Sequence, residues 1–226
     1  MRVEEAFSEA FNYAKDFTRD IGRLVILAIL GIIPIINFIV LGYACKVIRQ
    51  TPTSNSPPKL EEFLNMWIDG LKVMVVGIIY MIVPILIISA GLIPTTAGFM
   101  RPQPVFFFSI LSFIGSITFL VGLALAFLLS IILVIGVVHM IKTDNFSKAF
   151  AVGEILGIIG RIGWSKYLIW LIVVFVLEVI VFTIGNIPFI GWIILMFAIP
   201  ILAVFIARSI TILYSEVQQE TAKSII

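Results

Sequence analysis

The chain contains the stretch Gly185-Asn186-Ile187-Pro188-Phe189-Ile190-Gly191-Trp192, in which glycine and proline interrupt two long apolar runs. These runs cover residues 167–184 and 192–207 and contain one charged side chain, that of Glu178. As a helix rising 1.5 Å per residue, each run crosses most of the roughly 30 Å hydrocarbon layer of a bilayer. The stretch therefore predicts the turn of a transmembrane helical hairpin, with Gly185 and Pro188 as turn residues.

A second stretch resembles this turn. Residues 31–41 align with residues 185–195 without a gap, so that Gly31 faces Gly185 and Pro34 faces Pro188. One reading is an internal repeat, and the other is two independent solutions to the same turn, because glycine and proline punctuate any apolar run. A true repeat predicts that the two turns lie at comparable depths.

Composition indicates an integral membrane protein. Hydrophobic residues make up 61% of the 226 residues and charged residues 12%, about half of the roughly 25% that is usual in soluble domains. The net charge of +2 is too small to indicate nucleic-acid binding. The single cysteine, Cys45, excludes an intramolecular disulfide. No cleavable signal peptide is expected, because residues 1–20 are rich in charge.

Taken in order, the chain predicts one membrane domain over residues 1–226. Hydrophobic spacing and charge divide it into an amphipathic helix (3–21), a re-entrant or kinked span (24–48), a polar linker (51–58), a second surface helix (59–71), a span (73–93), a long span (105–140), a third surface helix (145–163) and a hairpin of spans (167–184 and 192–213). An external loop containing Arg101 separates the first long spans. The 105–140 run fits two crossings broken near Gly122, but a single crossing agrees better with the basic residues that follow.

The 24–48 run has two readings, a single kinked span or a hairpin that turns back at Pro34. The hairpin gathers the basic residues of both flanks on one side and leaves Arg101 alone outside, which the positive-inside rule favours. The fold class is therefore predicted as all-α, a polytopic transmembrane bundle with a re-entrant Pro-containing hairpin near the N-terminus and three amphipathic surface helices. Both termini are expected in the cytoplasm, at the cell membrane. Irregular backbone at membrane depth needs cover, so the turn at Gly31 is expected to be buried among helices.

The third surface helix contains a row of glycines. Gly153, Gly157 and Gly160 recur at helical spacing and predict a smooth stripe that another helix can approach closely. A phosphate-binding loop is the alternative for such a run, but no strand precedes it and no Gly-Lys-Ser/Thr follows. Close helix packing is the better interpretation.

Several short motifs resemble those of a known family. The motifs are Ile33-Pro34, Leu41-Gly42-Tyr43 with Val47-Ile48-Arg49, Asp69-Gly70-Leu71-Lys72, Ala149-Phe150 and Gly153-Glu154-Ile155-Leu156. Over roughly residues 20–214, the chain resembles a family of small uncharacterised prokaryotic multi-pass proteins, found largely in archaea, that is a domain of unknown function. The resemblance implies a helical membrane protein and supplies no catalytic or binding residues.

The search for chemistry yields one residue. A lone histidine, His139, and a lone cysteine do not make a metal cluster, and nothing pairs a nucleophile with a base at recognisable spacing, so no catalytic set, cofactor or metal is expected. His139 reads as an interfacial residue near a helix end. Glu178, about 18 Å into its span, costs roughly 2.5–3.5 kcal/mol near mid-bilayer unless something compensates it. Asn37 and Asn186, in the two turns, are its candidate polar partners.

Two classes of function remain. The first is a non-enzymatic membrane scaffold or assembly partner, which the surface helices and the glycine stripe favour. The second is a small transporter or channel that uses Glu178 as an intramembrane proton or cation site, which the repeat and the re-entrant turn favour. Sparse polar residues within the spans favour the first. The expected partners are the lipid bilayer and either a second copy of the chain or another membrane protein, with no nucleic acid.

Overall fold

A computed structural model describes the backbone of residues 2–97 and 105–223 and the side chains of residues 2–93 and 109–219. In these residues the chain forms α1 (Val3–Arg19), α2 (Ile21–Ile32), α3 (Phe38–Gln50), α4 (Phe63–Ala97), α5 (Val105–Thr143), a short 3₁₀ helix (Phe146–Phe150), α6 (Val152–Ile162), α7 (Trp164–Gly185) and α8 (Gly191–Lys223). Four stretches are long and apolar enough to cross a membrane: Phe63–Ile93, Ser109–Thr143, Trp164–Gly185 and Gly191–Gln219. The predicted all-α fold of membrane-spanning helices is confirmed.

The predicted division of residues 59–93 is wrong. The second surface helix and the following span are one continuous helix, α4, which starts only at Phe63. Asp69 and Lys72 look like a polar boundary in the sequence, but Asp69 is buried and paired with Arg49, so the helix has no reason to end there. The third surface helix, in contrast, is split into the 3₁₀ helix and α6. The predicted external loop at Arg101 lies outside the described residues.

The chain divides into two compact units. The first comprises Met1–Met74 and Ile135–Ile226, and the second comprises Val75–Val134. The second unit is a helical pair in which glycine permits close approach: a Cβ atom added at Gly91 lies 2.4 Å from the backbone nitrogen of Phe119, and one added at Gly122 lies 2.9 Å from that of Ile88. Residues 105–134 belong to one unbroken helix, which agrees with the predicted single crossing.

In the first unit, α8 is the central helix. The helices α1, α2, α3, α6 and α7 all pack against it. Its buried residues include Val204, Ala207, Arg208, Leu213 and Val217. An arginine in such a row needs partners for its charge, and these partners define the polar end of the unit.

The helix α1 is amphipathic, as predicted, but its buried stripe is rotated from the predicted one. Three alanines, Ala6, Ala10 and Ala14, lie on the buried side with Tyr13 and Phe17. Because alanine side chains are short, α1 can approach α8 closely. The apolar spacing of the sequence predicts a stripe that runs through Phe7, Phe11, Ala14 and Phe17, but Phe11 is 64% exposed.

The helices α2 and α3 form an antiparallel hairpin. Arg23, at the start of α2, and Tyr43, in α3, both donate hydrogen bonds to the carbonyl of Pro58, at 2.9 and 2.8 Å. A single kinked helix holds these residues about 30 Å apart, since they are 20 positions apart in the sequence. The 24–48 run therefore turns back on itself.

The tip of this hairpin is exposed, which corrects the expectation that helices bury it. Ile33, Ile35 and Ile36 are 40%, 64% and 37% exposed. The turn needs little cover because its polar groups are paired. The backbone N–H of Asn37 donates to the Ile33 carbonyl at 2.9 Å, and the Trp67 indole donates to the Ile35 carbonyl at 2.8 Å.

The two Gly-Pro turns share a left-handed residue at the same aligned position. Ile35 and Phe189, which align in the sequence, are both left-handed, with φ of 71° and 66°. One aligned backbone hydrogen bond also agrees: the Asn37 N–H donates to the Ile33 carbonyl at 2.9 Å, and the Gly191 N–H donates to the Ile187 carbonyl at 2.8 Å. Non-glycine residues rarely adopt this conformation, so its recurrence supports a repeated turn.

The two turns also lie near each other along α8. Gly31 and Ile32, at the end of α2, line a small cavity of about 250 Å³ together with Trp192 and Leu195, in the first turns of α8. The predicted repeat requires comparable depths, and the structure has both turns beside the start of α8.

The hairpin gives a topology prediction. Single cysteines at Ser8 and Thr53, in a Cys45→Ser background, are expected to react with a membrane-impermeant maleimide from the same side of the membrane, because both positions flank the hairpin at its open end. A cysteine at Asn186 is expected not to react from that side. Labelling of sealed, oriented vesicles measures this. Reaction of the first two positions from opposite sides contradicts the hairpin.

Candidate functional site

The polar end of the first unit is built around Arg208. Its side chain is 1% exposed. Its guanidinium donates to the Glu9 carboxylate from both Nε, at 3.2 Å, and Nη2. It also donates to three acceptors of the linker: Thr51 Oγ1 at 3.2 Å, the Ser54 carbonyl at 2.7 Å and Asn55 Oδ1 at 3.2 Å. A buried arginine is stable when its fork of donors is paired in this way. Arg208 thus joins α8 to α1 and to the 51–58 linker.

The linker is an ordered strap held by side chains. Tyr13 donates to the Ser56 carbonyl at 3.4 Å, and Arg23 donates to the Pro57 carbonyl at 3.2 Å. Lys142 donates to the Thr51 carbonyl. These carbonyls have no helical partner, so side-chain donors satisfy them. Burial raises the pKa of Tyr13 to about 12, against the lowering effect of Arg208, so the phenol keeps its proton at neutral pH.

Arg208 also lies over the ring of Tyr13, with 4.6 Å between the guanidinium carbon and the ring centroid. This cation–π contact replaces part of the hydration that burial removes. One residue further along α8, Ser209 accepts a hydrogen bond from the Trp170 indole at 2.9 Å, which joins α7 to the same end.

A second cluster is centred on His139, which is buried within the protein at 7% exposure. Its Nδ1 lies 2.8 Å from the Tyr214 hydroxyl and its Nε2 lies 2.9 Å from Glu154 Oε2. Lys148 Nζ lies 2.6 Å from Glu154 Oε1. The hydrogen bond from Lys148, followed by that from His139, lowers the pKa of the Glu154 carboxyl. The carboxylate therefore remains ionised into mildly acidic solution.

The His139 cluster borders a polar cavity of about 450 Å³. Its lining includes Pro52, Lys142, Thr143, Ser215 and Gln218 as well as His139 and Tyr214. No local spacing in the sequence signals this cluster, because Glu154 and Tyr214 are 15 and 75 positions from His139. The 3₁₀ helix between α5 and α6 brings Glu154 back to the histidine.

The motif residues that carry the family resemblance make structural contacts. Arg49, from the Val47-Ile48-Arg49 motif, pairs with the buried Asp69 of the next motif, and its Nη2 also lies 3.2 Å from Asp144. Gly42 and Gly70 mark the close crossing of α3 and α4. A Cβ atom at Gly42 falls 1.7 Å from the Met66 carbonyl oxygen, and one at Gly70 falls 1.8 Å from that of Phe38.

The candidate intramembrane residues are not brought together. Glu178 is exposed on the outer surface of α7. The Asn186 amide donates to the Phe182 carbonyl at 2.7 Å, and no hydrogen bond joins Glu178 to Asn37 or Asn186 within the part of the chain that the structure describes. Asn186 is also eight positions beyond Glu178, about 12 Å along the helix. Glu178 thus points away from the bundle.

The glycine stripe of α6 faces outward. A Cβ atom added at Gly153, Gly157 or Gly160 meets no atom within 4 Å. The buried side of α6 consists of four isoleucines: Ile155, Ile158, Ile159 and Ile162. Close packing of the stripe within the unit does not occur among the described residues, and its packing against another molecule stays a prediction.

Metal binding has no basis in the described ranges, in which no three His, Cys, Asp or Glu side chains are grouped to hold an ion. Cys45 is buried in α3.

The long apolar helices, with charged side chains gathered at one end of the first unit, define an integral membrane protein of the all-α class, with four helices long and apolar enough to cross a membrane. Within that class, the chain belongs to the family described as protein of unknown function (DUF4013), whose model matches residues 26–190. The match covers Arg49 and Asp69, the motif residues that pair in the structure. No curated protein and no solved structure matches the chain.

Proposed function

We propose that this chain is a non-enzymatic scaffold or assembly partner of the cell membrane, with both termini in the cytoplasm. The observation that carries the proposal is the outward position of Glu178 on α7. Its neighbours on that surface are apolar and exposed, with Phe175 at 60%, Val179 at 46% and Phe182 at 69%. An acid in hydrocarbon costs roughly 2.5–3.5 kcal/mol, and lipid tails offer no hydrogen bond to offset it. A transmembrane helix of a second copy, or of another membrane protein, can supply one.

The distribution of buried polar groups supports this proposal over transport. Those of the described residues are Thr51, Asp69, His139, Arg208, Ser209, Thr211 and Ser215. These groups lie at the polar end of the first unit or follow Arg208 in α8. They do not line a continuous path along the helices. A transporter normally lines its path with polar groups near the midplane.

The cytoplasmic orientation rests on charge. Arg208, Arg23, Lys142 and Arg49 meet at the end where α1 and the linker lie. Basic residues near membrane ends favour the cytoplasmic side.

Glu178→Leu is expected to weaken self-association in the membrane if the partner is a second copy. A cysteine at Val179, in a Cys45→Ser background, reports this by disulfide crosslinking in lipid vesicles. We expect the crosslinked fraction to fall at least fivefold with leucine and to change little with Glu178→Gln, which keeps a hydrogen bond. A cysteine at Ile199, exposed on α8, is the matched control for random collision. Equal crosslinking at positions 179 and 199, unaffected by leucine, counts against a Glu178 contact.

Transport is the second candidate, and the repeated turn favours it, because transporters are often built from internal repeats. The flux of protons and of alkali cations into proteoliposomes that contain the native chain or Glu178→Gln distinguishes the two functions. A flux that disappears on substitution supports transport and argues against the scaffold. No flux from either protein, with crosslinking intact, supports the scaffold.

A further inference from the structure

A large apolar groove lies between α1, α7 and α8. Its volume is about 780 Å³, and it is open along one side. Its walls consist of Phe7, Phe11, Ala14, Val173, Leu177, Val181, Ala198, Ile201, Leu202 and Phe205. All of these belong to the first unit. Neither Arg208 nor Glu178 lines the groove.

The groove follows from the way α1 packs. The alanines of α1 press against α8, while Phe7 stacks on Phe205 with ring centroids 5.9 Å apart and closes one side. The small side chains Ala14 and Ala198 then leave a space that larger residues would fill. Phe11 lines this space and is 64% exposed. It is an aromatic residue on a surface of α1 that is otherwise polar.

The rim of the groove is polar and carries a free positive charge. Ser8, Lys15 and Thr18 recur at helical spacing on α1 and line the groove at its edge. The nearby acids are already paired: Asp16 with Arg19 at 2.8 Å, and Glu9 with the buried Arg208. The Lys15 ammonium has no ion pair with any residue that the structure describes. It is therefore the uncompensated cation beside an apolar groove.

We propose that this groove binds one acyl chain of an anionic glycerophospholipid, whose phosphate meets Lys15. The walls match an acyl chain, since they present almost no polar atoms and burial of methylene groups favours binding. The rim matches an anionic headgroup by charge, because a basic side chain at the membrane surface favours anionic lipid by about 1 kcal/mol. Ser8 and Thr18 add hydroxyl groups at the same edge.

Native mass spectrometry of the detergent-purified full chain, titrated with phosphatidylglycerol, tests the proposal. We expect one lipid to remain bound at collision energies that remove the others. Ala198→Trp, which fills the groove, is expected to weaken this binding at least tenfold. Ile180→Trp, on the exposed side of α7 outside the groove, is the matched control and is expected to have no effect. Val181→Trp, at another wall, provides a second filling variant if the first fails to fold.

The headgroup is tested with Lys15→Gln, which is expected to weaken phosphatidylglycerol about fivefold and phosphatidylcholine less. Lys59→Gln, an exposed lysine of the linker region, serves as the control. Equal binding by the native chain and by both groove-filling variants overturns the site, as does a preference for phosphatidylglycerol that survives Lys15→Gln. A dimer that disappears with Ala198→Trp, without loss of lipid, also overturns it and assigns the groove to a second copy.

Discussion

Arg208→Met is expected to lower the free energy of unfolding by about 3–5 kcal/mol, because the change removes a buried guanidinium and leaves its acceptors, including the buried Thr51 hydroxyl, without that donor. Thr51, Ser54 and Asn55 all depend on this guanidinium, and Glu9 loses its partner. Methionine has a similar length, so the effect reports charge and hydrogen bonding more than volume. Thermal or denaturant unfolding in detergent measures the loss, and amide hydrogen exchange over residues 3–19 and 51–58 locates it.

Arg19→Met is the matched control. Arg19 is 73% exposed and pairs with Asp16 across one helical turn, so its loss is expected to cost less than about 1 kcal/mol. Arg208→Lys keeps the charge but not the planar fork, and we expect an intermediate effect. If Arg208→Met is as mild as Arg19→Met, with unchanged exchange in the linker, then Arg208 does not hold the polar end together.

The sequence could not reveal this arrangement. Hydropathy predicts where α8 lies and indicates that Arg208 is near its polar end, but Glu9 is 199 positions away. The linker shows only proline and polar residues, which are typical of a flexible connection. Its order comes from side chains on α1, α2, α3 and α8 that reach its carbonyls, and no local spacing records such contacts.

The features that depended on hydrophobic spacing were predictable. The amphipathic α1 and the turn after α7 follow from periodicity and apolar length, whereas the unbroken α5 follows from the basic residues after it. The errors occurred where tertiary contacts outweighed composition. Asp69 and Lys72 suggested a helix boundary, but Arg49 neutralises Asp69 and α4 continues. Phe11 fits the apolar period of α1, but close packing by the alanines rotates the buried stripe away from it.

The repeated turn shows how an uncertain pattern gained support. Matching isoleucines are weak evidence in an isoleucine-rich chain, so the alignment of Gly31 with Gly185 left two readings open. The left-handed Ile35 and Phe189 are stronger evidence, because an unfavourable conformation seldom arises twice at aligned positions by chance. The backbone therefore supports an internal repeat where composition could not.

Gly42→Ala is expected to destabilise the fold by about 3 kcal/mol or more, although it changes one methyl group. The added Cβ falls 1.7 Å from the Met66 carbonyl oxygen, a backbone atom that cannot rotate away, so α3 and α4 must separate. Separation also lengthens the Arg49–Asp69 pair, which joins the same two helices. Gly70→Ala meets the Phe38 carbonyl at 1.8 Å and is expected to act in the same way. Unfolding in detergent measures both variants.

Gly157→Ala is the control that separates steric crowding from glycine chemistry. This glycine lies in α6 with no atom within 4 Å of an added Cβ. Alanine is the better helix former, so we expect Gly157→Ala to be neutral or to stabilise the protein by up to about 1 kcal/mol. If alanine lowers the free energy of unfolding at position 42 and leaves it unchanged or raises it at position 157, then the motif glycines allow the close α3–α4 crossing. Equal, small effects at both positions mean that the two helices are not in close contact, and the placement of the hairpin against α4 is then wrong.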